Sequence, residues 1–118
     1  MFQESLKRLV QETDGGLAAL LMGFDGIAVD SFVGNAMTSD MNTVGMEFSF
    51  ILSQVRKATE ILELGSVVEL TIRAEKLTIM IRVMTPEYFL AIAIQPEGNL
   101  GKGRYLLRVL APKFQAEL

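Results

Sequence analysis

The hydrophobic residues of this chain recur with helical spacing in three segments and with strand spacing in the segments between them. Apolar side chains every three or four positions predict helices over residues 2–13, 41–64 and 99–118. Residues 17–22 and 88–94 are continuous apolar runs, typical of central strands that are covered on both faces. Three further strands are predicted: residues 67–73 and 77–84 from the alternation of their side chains, and residues 27–33 from the Asp25-Gly26 hairpin signal that precedes them.

This order predicts an α+β fold built on a five-stranded antiparallel sheet. Every link between successive strands is a tight turn, such as Asp25-Gly26, except the crossover made by the long helix. The two continuous apolar runs are predicted to take the middle of the sheet, and strand 67–73 a position nearer an edge. The long central helix is then expected to cover one face, and the N- and C-terminal helices the other.

The long helix carries more apolar surface than one core requires. Ser39 or Asp40 is its predicted N-cap and Gly65 its stop. A broad stripe is predicted to cover the sheet: Met41, Val44, Phe48, Ile51, Leu52, Val55, Ala58 and Leu62. A second stripe lies on roughly the opposite side: Met46, Phe50, Ile61 and Leu64. Either a loop or helix of the same chain covers this second stripe, or a second copy of the chain does.

A homodimer would cover the second stripe, provided that an edge strand also contributes to the dimer interface. Burying four large apolar side chains is worth about 6–12 kcal/mol, close to the estimated 4–15 kcal/mol that association costs. A two-fold axis at Thr71 would place Glu69 opposite Arg73 twice, whereas an axis at Glu69 would oppose like charges. The predicted dimer interface comprises Met46, Phe50, Lys57, Ile61, Leu64, Val67, Glu69, Thr71 and Arg73.

Composition narrows the function classes. Half of the 118 residues are hydrophobic and 21% are charged, which is typical of one folded domain, here residues 1–118. The net charge of −3 gives no electrostatic footprint for nucleic acid, and the apolar runs are too short for a membrane span. Without a signal-peptide pattern, a cytoplasmic location is expected. Cysteine and histidine are absent, so no catalytic residue, metal site or cofactor is predicted.

The glycine-rich stretch from Gly98 to Arg104 follows a strand and opens a helix, where a phosphate can bind. Its spacing matches neither G-x-G-x-x-G nor G-x-x-x-x-G-K-[ST], and no parallel strand follows it. Close helix–sheet packing is therefore favoured over nucleotide binding, and Lys102 and Arg104 stay available to an acidic partner. Pro112, inside the last helix, is predicted to kink that helix or to end its regular part near Ala111.

A polar strip along the long helix is either a solvated face or a contact surface for another protein. Glu60 and Glu63 are neighbours on it. The candidate partner-binding residues are Asn42, Ser49, Ser53, Arg56, Glu60 and Glu63.

Residues 2–118 resemble the roadblock / dynein-light-chain superfamily in its small bacterial, MglB-like form. The resemblance rests on the long helix and on Leu20-Leu-Met-Gly-Phe-Asp-Gly-Ile27, residues 68–83 and Leu100-Gly-Lys-Gly-Arg-Tyr-Leu-Leu107. These motifs are architectural, and none is catalytic. Pro112 departs from the uninterrupted last helix that is usual in this superfamily.

The resemblance implies a roadblock/profilin-like fold and a homodimer in which edge strands join two sheets and the long helices pack side by side. It implies a platform for a Ras-like small GTPase, and MglB-like members raise GTP hydrolysis without donating an arginine. The expected function is a non-catalytic homodimeric regulator or scaffold that binds such a GTPase. The alternatives are a structural adaptor in a motor, motility or trafficking complex, and a small-ligand sensor.

Overall fold

A computed structural model describes residues 2–118 as three helices and five strands. The elements are α1 (Gln3–Glu12), β1 (Gly16–Gly23), β2 (Ala28–Val33), α2 (Met41–Ile61), β3 (Glu69–Arg73), β4 (Thr78–Val83), β5 (Tyr88–Ile94) and α3 (Leu100–Ala116). The predicted order of helices and strands is confirmed. Within these residues no helix is both long and apolar enough to cross a membrane.

The five strands form one antiparallel sheet in the order β2-β1-β5-β4-β3. The continuous apolar runs became β1 and β5, which lie side by side inside the sheet, as predicted. Both are almost wholly buried because helices cover both of their faces. The strand with alternating polarity became β3, at one edge, and β2 forms the other edge.

Each face of the sheet carries its own hydrophobic core, which confirms the predicted three layers. On one face, side chains of α1 and α3 such as Leu9, Leu107 and Phe114 pack against the sheet. On the other face, Met41 and Leu52 of α2 do so. The sheet serves both cores because successive side chains of a strand point to opposite faces.

Helix α2 begins where the sequence predicts and ends three residues earlier than predicted, at Ile61 instead of Leu64. Asp40 is the N-cap, since its carboxylate accepts hydrogen bonds from the Asn42 N–H (3.1 Å) and the Thr43 hydroxyl (3.0 Å). At the other end Glu63 has a φ of 56°, in the left-handed region that stops a helix. Leu64 therefore lies in the connection to β3.

The buried side of α2 is rotated relative to the predicted broad stripe. Its fully buried residues are Met41, Gly45, Ser49 and Leu52, whereas Ile51, Ala58 and Leu62 are exposed. Gly45 explains the rotation, because a methyl group built there would overlap Leu20 and lie 2.9 Å from the Cε of Met22. The helix backbone approaches the sheet most closely at this glycine. Assigning those three exposed residues to the core was wrong.

Helix α3 continues past Pro112 to Ala116, so of the two predicted effects of this proline the end near Ala111 is wrong, and the kink stays a prediction. Packing holds the last turn in place: Ala111 and Phe114 are buried, and the Phe114 ring stacks on Phe2 with centroids 5.9 Å apart. The burial of these side chains offsets the loss of one N–H donor at the proline.

Candidate self-association and docking surfaces

The edge of the sheet at β3 is open. Val83 donates its N–H to the Val68 carbonyl (3.0 Å), and Ala74 donates its N–H to the Leu77 carbonyl (2.9 Å). These two bonds, with the strand register, determine which residues of β3 form backbone hydrogen bonds to β4. The N–H and C=O groups of Glu69, Thr71 and Arg73 therefore point away from β4. Between residues 2 and 118, no side chain is hydrogen-bonded to these backbone groups. A strand with unpaired outward groups is a template for pairing with another strand.

The opposite edge, at β2, carries side chains on its outward backbone groups at Ser31. The Gln3 amide donates to the Ser31 carbonyl (2.8 Å) and to the Asp30 carboxylate (2.7 Å). That carboxylate also accepts the Ser31 N–H at 2.9 Å. Both backbone groups of Ser31 are thus occupied by side chains of its own chain. The two edges differ, and β3 is the one available to a partner.

Replacing Gln3 with leucine is expected to lower the free energy of unfolding by about 1 kcal/mol, the usual net value of hydrogen bonds of this kind. Urea denaturation monitored by circular dichroism measures the change. The matched control is Gln11→Leu, which alters an exposed position of α1 with no side-chain hydrogen bond in the described chain. Equal losses in the two variants would contradict this role of Gln3.

An exposed apolar surface lies along α2. We call it the α2 surface and define it as Met46, Phe50, Ile51, Ile61 and Leu62, continued by Leu64 and Val68 in the segment leading to β3. Phe50 is 68% exposed and Ile61 79% exposed. Side chains of this size are rarely left in water as a contiguous group unless a partner covers them. All four residues of the predicted second stripe lie here, and Ile51 and Leu62 join them.

Two other predicted interface residues differ in their surroundings. Lys57 is exposed on the outer side of α2. Val67 is half-buried and packs against the core beneath α2, so its side chain already has a contact within its own chain. Val68 is the exposed residue of this pair.

Glu69 has an ionic partner that sequence reasoning missed. Its carboxylate lies 3.4 Å from Nε of Arg104, and Nη2 of Arg104 is 3.5 Å from the Thr71 hydroxyl. The pair is nearly half-exposed, so it contributes little to stability. No local pattern connects residues 69 and 104, because only the packing of α3 across the sheet brings them together. The pairing of Glu69 with Arg73 of another copy stays a prediction.

The predicted polar strip is not one continuous surface. Ser49 is only 5% exposed and its hydroxyl donates to the Met46 carbonyl, so placing it on a docking surface was wrong. Ser53 is half-buried and bonds to the Ser49 carbonyl. The Arg56 guanidinium lies 4.0 Å from the Phe24 ring centroid and donates to the Pro86 carbonyl. Intrahelical hydrogen bonds and an aromatic neighbour thus account for these three polar residues.

Glu60 and Glu63, two exposed residues of the strip, border an open groove of about 790 Å³ between the end of α2 and the β4–β5 turn. Arg56, Glu60 and Glu63 line it from one side, and Arg82 from the other. Asn42 lies in the first turn of α2, exposed and away from this groove. The groove is wide and of mixed polarity, unlike the enclosed, mainly apolar pockets that hold small ligands.

The glycine-rich stretch packs closely against the sheet. Close packing is the alternative that the sequence favoured over nucleotide binding. A methyl group built at Gly103 would lie 2.7 Å from Cδ1 of Ile94, and one built at Gly98 would lie 2.7 Å from the Asp14 carbonyl oxygen. Asn99 caps the helix by accepting the Lys102 N–H at 3.0 Å. Close packing therefore explains Gly98 and Gly103 without a ligand.

The sequence and the fold were compared with those of known proteins. No family model and no curated protein sequence matches the chain. Among solved structures, MglC from Myxococcus xanthus is 43% identical to it, with 99% of this chain and 98% of that chain covered and a TM-score of 0.72. A Roadblock/LC7 domain from Streptomyces avermitilis has a TM-score of 0.86 at 16% identity, covering 97% of this chain and 94% of that one.

MglB from Myxococcus xanthus is more distant in sequence, at 13% identity, with a TM-score of 0.82 and 98% and 94% of the two chains covered. These likenesses confirm the roadblock/profilin-like fold. Because its 43% identity to MglC extends over nearly the whole of both chains, the protein belongs to the roadblock superfamily.

Proposed function

We propose that this protein is a homodimeric, non-catalytic scaffold of a motility system controlled by a Ras-like small GTPase. The observation that carries the proposal is the combination of an open β3 edge with the exposed α2 surface, joined through Leu64 and Val68. An unpaired strand supplies directional hydrogen bonds, and the apolar residues supply burial. Burial of the apolar residues alone is marginal for association, so the strand hydrogen bonds are expected to tip the balance toward the dimer.

In the proposed dimer the two β3 strands pair antiparallel about a two-fold axis at Thr71. The outward N–H and C=O groups of Thr71 then bond to those of its symmetry mate. Glu69 of each copy faces Arg73 of the other. This pairing makes one sheet of the two, with both α2 helices on the same face. Ile51, Leu62 and Val68 are added here to the predicted interface because all three are exposed.

Support for a GTPase partner comes from the superfamily resemblance and from the likeness to a gliding protein, MglB of Thermus thermophilus, at 15% identity. Any effect on hydrolysis would be indirect, through the position of the GTPase's own residues around its nucleotide. This chain needs no catalytic group of its own for that role.

Sequence identity bears on the choice between an activator of GTP hydrolysis and an adaptor without effect on it. The resemblance attributes stimulation of GTP hydrolysis to MglB-like members. Those proteins are 13–16% identical in sequence to this chain, whereas MglC is 43% identical. The low identity to MglB-like members weakens the support for stimulation, so we propose as the first candidate an adaptor that leaves GTP hydrolysis unchanged. The activator is the second candidate.

Timing phosphate release from the Ras-like GTPase of the same genome tests both candidates. We expect the wild-type protein to bind the GTPase and to leave its phosphate-release rate unchanged. Replacing Phe50 with aspartate places a charge in the proposed dimer interface. It is expected to weaken the dimer, and through it the binding of the GTPase, by at least about tenfold, since burying a phenylalanine is worth roughly 1.5–3 kcal/mol. Gln11→Asp, on the face of the sheet opposite α2, is the control and should bind as the wild type does.

Accelerated phosphate release would establish the activator instead. No binding by the wild-type protein would remove the GTPase from the proposal. Light scattering on the Phe50 variant separates a loss of docking by an intact dimer from a loss of the dimer itself.

A further inference from the structure

Helix α3 presents a basic face that has no part in the proposed dimer interface. Its residues 100–116 contain four cationic side chains and no carboxylate, although the whole chain has a net charge of −3. Arg104 is engaged by Glu69. The other three cations and two exposed apolar side chains form what we call the α3 basic face: Lys102, Tyr105, Arg108, Val109 and Lys113.

Tyr105 is the centre of this face. Its ring is 48% exposed and lies between two cations, with the Lys102 Nζ 5.8 Å and the Arg108 Cζ 5.7 Å from its centroid. Attraction between each cation and the ring restricts the side chains to one region of the helix surface. The arrangement is therefore partly ordered before any partner arrives, which reduces the entropic cost of binding.

Among residues 2–118, the three cations have no anionic partner. Across residues 2–118 only two ion pairs form, Arg8 with Glu12 and Arg104 with Glu69. The α3 basic face also lies on the side of the sheet opposite α2, because α3 packs in the core that it shares with α1. Dimerisation through β3 and the α2 surface would thus leave it free.

We propose that the α3 basic face binds an acidic segment of a partner protein. Lys102 and Lys113 are eleven residues apart on one helix, or about 16 Å at 1.5 Å per residue, which matches about five residues of extended chain. Carboxylates of such a segment would pair with Lys102, Arg108 and Lys113, and an apolar side chain would rest on Tyr105 and Val109. This inference does not depend on the proposed GTPase.

A peptide fits this face better than an anionic membrane does. The cationic surface is only one helix wide, and a net charge of −3 repels the remainder of the molecule from a flat negative surface. A narrow segment can contact α3 alone and avoid the acidic surroundings.

Fluorescence anisotropy with a labelled decapeptide of alternating glutamate and leucine tests the proposal on the full chain. We expect binding that weakens with salt, and a loss of about tenfold in affinity for Arg108→Glu, the usual scale for a charged hydrogen bond. Lys76→Glu changes the net charge equally at the exposed β3–β4 turn and should leave affinity within about twofold of the wild type. Tyr105→Ala should also weaken binding without changing the net charge.

If the Arg108 and Lys76 variants lost the same affinity for the peptide, overall charge would explain the binding, and the proposal would be overturned. Vesicles of phosphatidylcholine with phosphatidylserine provide the other arm. Binding to these vesicles without binding to the peptide would assign the face to a membrane and likewise overturn it, as would an absence of binding to both.

Discussion

Replacing Thr71 with proline is expected to shift this protein from dimer to monomer at micromolar concentration. The Thr71 N–H points away from β4, so proline removes no hydrogen bond from the β3–β4 ladder. It removes the donor at the centre of the proposed dimer strand and places its ring against the facing chain. The change occurs twice per dimer. At about 0.5–1.5 kcal/mol for each lost bond, and with the steric clash added, at least about a hundredfold weaker dimerisation follows.

Thr71→Val is the matched control, because it keeps both the backbone N–H and the β-branched shape of threonine. Its hydroxyl contact with Arg104, at 3.5 Å, is the one interaction that valine loses. Light scattering should therefore report a dimer for the valine variant and a monomer for the proline variant. A proline variant that remains dimeric would exclude the β3 edge as the contact, and circular dichroism would show whether the protomer is still folded.

Replacing Gly45 with valine is expected to destabilise the protomer by about 1–3 kcal/mol, the range typical of overpacked cores. Any side chain at Gly45 overlaps Leu20 and approaches Met22, both fully buried in the core beneath α2. The helix must then lift from the sheet or the core must rearrange. The urea midpoint is the quantity to measure.

Glu47→Val controls for the presence of a valine on this helix without an overlap. At Gly45 itself the change to valine costs no helix propensity, because glycine is the poorer helix former. Glu47 is exposed on the same helix, two residues further on, so the substitution costs propensity alone, at most about 0.7 kcal/mol. If both variants lose the same stability, the close approach of α2 at Gly45 is not what positions this helix.

Most of the fold could be predicted from the sequence because its signals are local. Continuous apolar runs marked β1 and β5, alternation marked the strand that forms the open edge, and Asp40 marked the start of α2. These patterns depend on periodicity and on turn or cap residues, which a single segment reveals on its own.

The errors came from packing that no segment reveals. Counting apolar residues assigned Ile51 and Leu62 to the core, whereas the close approach at Gly45 turns the helix so that Ser49 is buried instead. In the sequence pattern, a glycine that allows a helix to approach the sheet closely reads as an interruption of the apolar stripe. Similarly, Pro112 stays within α3 because neighbouring side chains are buried, and burial overrides local propensity.

The candidate surfaces were predicted in part. The exposed residues of the second stripe were identified because they exceed what one core can cover. The ion pair between Glu69 and Arg104 and the bonds from Gln3 to β2 join residues about thirty positions apart, so only the tertiary structure brings them together. Sequence reasoning could name an edge strand but could not tell which edge was already occupied.

The unequal edges of the sheet also limit how far this protein can polymerise. If both edges were open, each added chain would expose a fresh strand, and growth could continue into a fibre. Because Gln3 and Asp30 occupy the backbone of Ser31 in the middle of β2, a strand that added to this edge would have to displace them. Pairing through β3 is therefore expected to favour two copies over continued growth. One glutamine in the first turn of α1 thus disfavours the addition of further strands at this edge.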